Sequence, residues 1–100
     1  MLILRALLFG AKHGYGIAKF IRQSSNDAFM VEAGSLYPAL QRLEMQKLIT
    51  AKWEISSNNR RVRNYRLTAA GRARLSSSTS RWHEFVRAIG SVLQPAKSEE

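Results

Sequence analysis

Gly34-Ser-Leu-Tyr-Pro-Ala-Leu-Gln-Arg-Leu-Glu-Met-Gln-Lys-Leu-Ile49 passes from a helical to an extended pattern of apolar residues. Leu36, Leu40 and Leu43 recur at i, i+4 and i+7, so a helix over 34–46 sets all three on one face. Gly34-Ser35 supplies a start signal, and Pro38 is tolerable if it falls in the first turn, where a missing N–H costs nothing. The opposite face carries Ser35, Tyr37, Gln41 and Arg42, side chains that hydrogen-bond well. Leu48-Ile49 then opens an alternating run, with Ile49, Ala51, Trp53 and Ile55 set against Thr50, Lys52 and Glu54. That is strand periodicity. A short amphipathic helix with a polar outer face, followed by a hairpin, is the core of a winged helix-turn-helix. An ordinary surface helix ahead of a hairpin is the alternative that this stretch alone leaves open.

Upstream, Leu2, Ile3, Leu4, Ala6, Leu7, Leu8 and Ala11 predict a nearly all-round apolar helix interrupted at Arg5. Gly10–Gly16 reads as a turn. Gly14 and Gly16 could form a phosphate nest, but the spacing is that of no nucleotide-binding loop, and a tight lead into the next helix is the simpler reading. Lys12 and that helix start are then available to a DNA phosphate. Ile17, Phe20 and Ile21 give the second helix its stripe, and Ser24-Ser25-Asn26-Asp27 ends it. Phe29, Met30 and Val31 predict a short extended piece pairing with the hairpin edge.

The net charge is +9 over 100 residues. Residues 1–74 hold 13 Lys/Arg and 4 Asp/Glu, which is the whole excess; residues 75–100 are neutral. A cationic body beside a neutral helix points to a polyanion partner for one part and a different task for the other. The hairpin turn Ser56-Ser57-Asn58-Asn59 leads into Arg60, Arg61, Arg63 and Arg66. Arg60, Arg61 and Arg63 fall near the tip, where nothing in so short a chain is expected to bury or neutralise them. Guanidinium groups bind phosphate in a planar, bidentate fashion and also enter A·T-rich minor grooves. DNA backbone contact therefore explains their concentration better than a solvated turn.

Thr68 is placed to cap a last helix, with Arg72 and Arg74 extending the basic surface along its first turns. Leu75, Trp82 and Ile89 repeat every seven residues, as do Val86 and Leu93, and Phe85 and Val92 widen the stripe. This is the spacing of a coiled-coil seam, and the cheapest partner for it is the same helix of a second copy. Folding back on the first helix of the same chain is the alternative. Pro95 is expected to end the helix, leaving 95–100 as a polar tail. The organisation is thus a winged-helix domain over 1–67 and a dimerisation helix over 68–94, mostly α with a small hairpin.

Chemistry finds little footing. There is no cysteine, which excludes disulfides and thiolate metal sites. His13 and His83 lie in different elements without ligand spacing, and the carboxylates are scattered. No cofactor or metal is implied, and an enzyme is not expected. No run approaches the ~20 apolar residues of a membrane span, and no signal peptide is legible, so the chain reads as cytoplasmic.

His13-Gly-Tyr-Gly16, Glu32-Ala-Gly-Ser-Leu-Tyr-Pro-Ala-Leu-Gln-Arg-Leu-Glu44, Leu48-Ile49, Trp53, Asn59-Arg-Arg61 and Tyr65-Arg-Leu-Thr-Ala-Ala-Gly71 together resemble the PadR-like transcriptional regulators. The resemblance runs over essentially residues 2–94 and is to the short class, with one long C-terminal helix. It implies a homodimeric repressor with 34–46 as recognition helix, 53–66 as wing and the last helix for dimerisation. By position it assigns Ser35, Tyr37, Gln41 and Arg42 to the DNA face, with Asn59, Arg60, Arg61 and Arg63 in the wing. Some relatives bind planar aromatic effectors at the dimer interface, and Trp82 falls where one would stack, although interface packing is the plainer role for it. Family members usually carry a short leader before the helix that begins here at Leu2; its absence suggests a truncated or mis-started chain and bears on the full dimer interface.

A homodimer on an inverted-repeat operator is the reading these features favour. A winged-helix adaptor that binds protein without specific DNA recognition is the alternative, since fold alone does not decide function.

Overall fold

A computed structural model describes residues 1–94 of the chain; the expectations for Pro95 and the polar tail lie outside the described residues. The elements run α1 (Leu2–Ala6), β1 (Lys12–His13), α2 (Gly14–Ser24), α3 (Ala33–Met45), β2 (Ile49–Ile55), β3 (Arg61–Leu67) and α4 (Ala69–Leu93). The strands form one antiparallel sheet in the order β1-β3-β2, with Ile49 opposite Leu67 and Ile55 opposite Arg61 across the hairpin. This is a winged helix-turn-helix with a long C-terminal helix.

Leu36 and Leu40 from α3, Ile17 and Ile21 from α2, and Leu4 and Leu7 from the first segment meet Leu48, Ile49 and Tyr65 of the hairpin in one buried cluster. Burying each aliphatic side chain contributes roughly 2 kcal/mol, and no polar side chain among the described residues is buried with them.

Backbone details explain why the elements stop where they do. Both α2 and α3 end in the same way. The N–H of Asp27 donates to the Arg22 carbonyl at 2.9 Å, and that of Leu48 to the Leu43 carbonyl at 3.0 Å. Asn26 (φ 53°) and Lys47 (φ 61°) provide the left-handed residue that this closure needs. The Thr68 hydroxyl caps α4 by accepting from the Gly71 N–H at 2.9 Å, and it reaches back to the Leu48 carbonyl at 2.9 Å. Gly71 is obligatory there, because a Cβ would collide with that same carbonyl.

Four expectations are corrected. The third strand is Lys12–His13, antiparallel to β3, whereas Phe29–Val31 forms no strand. The first helix closes at Ala6 and gives way to turns, leaving Phe9 exposed. The helix α3 starts at Ala33 with Glu32 as its N-cap, so Pro38 is its sixth residue and lies past the first turn. Leu75, assigned by phase to the interface stripe, is 6% exposed in the core of its own chain, because the first turns of α4 lie against α1 and β3.

Beyond Leu75 the helix leaves the body. The molecule measures 67 × 28 × 23 Å, and a 25-residue helix accounts for about 37 Å of that length.

Candidate nucleic-acid interface

Ser35, Tyr37, Gln41 and Arg42 are all exposed on α3. Tyr37 and Gln41 line a cleft of about 330 Å³ with Glu44, Arg63 and Tyr65, so this side of the helix faces the wing. Ser35 and Arg42, seven residues apart, form a second exposed line along the same helix. The Tyr37 ring lies over the start of α2, where a Cβ at Gly14 would sit 2.7 Å from its hydroxyl oxygen. Gly14 thus permits α2 and α3 to approach closely.

The wing is shaped by its turn and by one aromatic ring. Asn59 takes a left-handed conformation (φ 63°), and Ser56 closes the loop by donating its N–H to the Arg60 carbonyl at 2.7 Å. Trp53, Ile55, Arg61 and Arg63 share the sheet face that, nearer the helices, carries Ile49, Ala51, Tyr65 and Leu67. The hairpin outruns the helical layer, so this apolar face continues into solvent, with Trp53 53% exposed. Two guanidiniums cover it, Arg61 at 4.7 Å and Arg63 at 5.5 Å from the indole centroid. Arg60 and Asn59 are exposed at the tip.

Arg63 departs from expectation. Its guanidinium donates to Glu44 Oε2 on α3 at 2.8 Å, in a partly buried pair. The carboxylate that neutralises it comes from α3, and this hydrogen bond holds the Arg63 guanidinium even more firmly protonated than usual. Burial raises the Tyr65 phenol above its ordinary range. Lys12 is set apart from the α3–wing cleft. Its ammonium lies 5.3 Å over the Phe20 ring, in a neighbouring hollow shared with Lys19, Gln23 and Asn64.

A larger cleft of about 480 Å³ is walled by Tyr15 of α2, Tyr37 of α3, and Trp53 and Arg61 of the wing, with His13 at its edge. His13 caps α2 by accepting from the Gly16 N–H at Nδ1, 3.3 Å away. Glu44, Trp53 and Tyr15 were not singled out as site residues by the sequence. Glu44 had one legible signal, its i, i+4, i+7 relation to Tyr37 and Gln41.

On α4, Trp82, Phe85, Val86, Ile89 and Leu93 are exposed, with the rings of Trp82 and Phe85 5.8 Å apart. No helix among the described residues is long and apolar enough to cross a membrane. No cluster of His, Asp and Glu among them could hold a metal ion.

Comparison with known proteins converges on this architecture. A family model described as the transcriptional regulator PadR-like family matches residues 3–77. The chain is 34% identical over 83 residues to an uncharacterized protein of Lysinibacillus sphaericus, covering 83% of this chain and 76% of that one. A transcriptional regulator from Clostridium thermocellum superposes with a TM-score of 0.84 at 26% identity, over 93% of this chain and 90% of the other. A PadR family transcription regulator from Clostridium difficile gives 0.80 at 28% identity, over 93% and 95% of the two chains. With the family model spanning three-quarters of the sequence and both structures sharing the winged helix and the long last helix, the chain belongs to the PadR-like family of transcriptional regulators.

Proposed function

We propose that this protein is a homodimeric repressor that binds an inverted-repeat operator near its own promoter. The observation that carries this reading is the union of two exposed surfaces with different chemistry. One joins the polar face of α3 to the wing arginines across the Tyr37–Trp53 cleft. The other is the apolar stripe of α4, with Phe85 at 55% exposure and Ile89 at 42%. The first suits a polyanion, and the second suits a copy of itself.

In this reading α3 enters the major groove. Gln41 and Arg42 address base edges, for which Gln suits adenine and Arg suits guanine. Ser35, Tyr37, Asn59, Arg60, Arg61 and Lys12 hold sugar and phosphate, fixing position without reading sequence. Trp82, Phe85, Val86, Ile89 and Leu93 form the seam between protomers, and a planar aromatic effector that slid beside Trp82 would alter the spacing of the two recognition helices. Hydroxyl-radical footprinting of the upstream region tests the arrangement. Two protected half-sites related by two-fold symmetry, about 10 base pairs apart or a multiple of that, are expected. A single asymmetric protected patch would contradict the dimer.

A further inference from the structure

Two ion pairs occur among the described residues, and they differ in kind. Arg22–Asp27 is local and solvent-exposed. Arg63–Glu44 joins the wing to the recognition helix, with the two side chains only 37% and 27% exposed. The same Arg63 lies against Trp53, whose other near cation is Arg61. Four side chains therefore form a chain, Glu44 to Arg63 to Trp53 to Arg61, running from the end of α3 to the outer wing. A guanidinium that already donates to a carboxylate at 2.8 Å has exchanged its strongest anionic partner in advance. To turn its charge toward a phosphate it would have to loosen its hold on a partly buried carboxylate, at a cost in desolvated, poorly paired charge.

We propose that Glu44 is a positioning residue that withholds Arg63 from the DNA backbone. Resting on the DNA-binding reading above, Glu44 fixes the wing against α3 and leaves Arg60 and Arg61 as the wing's phosphate contacts. This trades affinity for discrimination. Every arginine free to meet phosphate strengthens binding to all sequences alike, so a carboxylate that neutralises one of them lowers the background while keeping the helix and wing in register. Glu44→Gln is the informative change, because the amide keeps the shape and can still accept a hydrogen bond, yet leaves the Arg63 charge uncompensated.

The test compares wild type, Glu44→Gln, Arg63→Ala and Arg61→Ala on a scrambled duplex and an upstream-region duplex across a salt series, with circular dichroism melts to establish folding. On the scrambled duplex, Glu44→Gln is expected to steepen the log–log salt slope by about 0.9, one added phosphate contact. Arg61→Ala is expected to flatten it by about the same amount, and Arg63→Ala to leave it unchanged. The preference of Glu44→Gln for the upstream duplex falls. The proposal is overturned if Arg63→Ala flattens the slope as Arg61→Ala does, or if Glu44→Gln keeps the wild-type slope. Loss of upstream preference in the wild type would sink the repressor reading, yet the scrambled-duplex slopes would still decide the role of Glu44. If the wild type bound neither duplex, a DNA-free arm decides it. In a Trp82→Phe background, iodide quenching of Trp53 should rise on Glu44→Gln while acrylamide quenching stays constant, and equal iodide quenching refutes the clamp.

Discussion

Arg63 on the wing and Glu44 on α3 lie 19 residues apart in sequence, yet their side chains meet at 2.8 Å. The contact couples the two elements that face outward together, so the hairpin is not a free arm swinging beside α3. It also divides the basic wing into a cation already satisfied within the protein and others, Arg60 and Arg61, exposed to solvent.

Arg42→Ala and Arg61→Ala should weaken binding in different ways. Replacing Arg42 is expected to remove about 1–3 kcal/mol of discrimination between the upstream and scrambled duplexes. Replacing Arg61 should weaken both duplexes nearly equally. Titrations of each variant on both duplexes separate the two effects, and equal losses for Arg42→Ala would defeat its assignment to a base edge.

Ile89→Asp should convert the protein to a monomer in sedimentation velocity at micromolar concentration. A charge in the middle of the Trp82–Leu93 stripe stays unpaired in a helix-to-helix seam. Operator affinity should fall about 100-fold or more, since the second half-site loses its tethered partner. An unchanged sedimentation coefficient would remove α4 from the interface.

Gly71→Ala should destabilise the fold by about 1–3 kcal/mol, the usual cost of overpacking. Its Cβ would collide with the Leu48 carbonyl and meet Leu67 Cδ1 at 2.7 Å. Gly34→Ala, where nothing lies within 4 Å of the added carbon, should instead gain about 0.5–1 kcal/mol from helix propensity. Urea melts of the two variants should move in opposite directions.

Alkaline pH should destabilise the protein through Tyr65. Burial raises its phenol above the ordinary value, so the folded state holds that proton more tightly than the unfolded chain. Stability is then complete below about pH 10 and declines as pH rises through the folded-state value. In Tyr65→Phe the decline above about pH 10 should be shallower, as read from urea midpoints. A decline of equal steepness would show that another group carries it.

Much of this fold is written in periodicity. Leu36, Leu40 and Leu43 mark α3, the alternation from Ile49 marks β2, and Thr68 with Gly71 marks the start of α4. What the sequence conceals has physical causes. A two-residue strand such as Lys12–His13 has no period to detect, whereas Phe29-Met30-Val31 has strand composition yet forms no strand. Trp53 alternates with Ile49 and Ala51 as though it were core, because the pattern cannot say where the helical layer stops covering the sheet. Leu75 keeps heptad phase with Trp82, but phase does not distinguish the turns of α4 packed on the body from those projecting past it. The Glu44–Arg63 contact depends on how the hairpin folds back, which no local pattern encodes.

Fluorescence anisotropy with the upstream duplex and a scrambled duplex of equal length, at two salt concentrations, separates a sequence-specific regulator from a general polyanion binder. Preference for the upstream duplex by about a thousandfold or more at physiological salt is the result predicted for a specific regulator. Equal affinity for both duplexes, lost steeply as salt rises, would contradict it by leaving only the phosphate contribution.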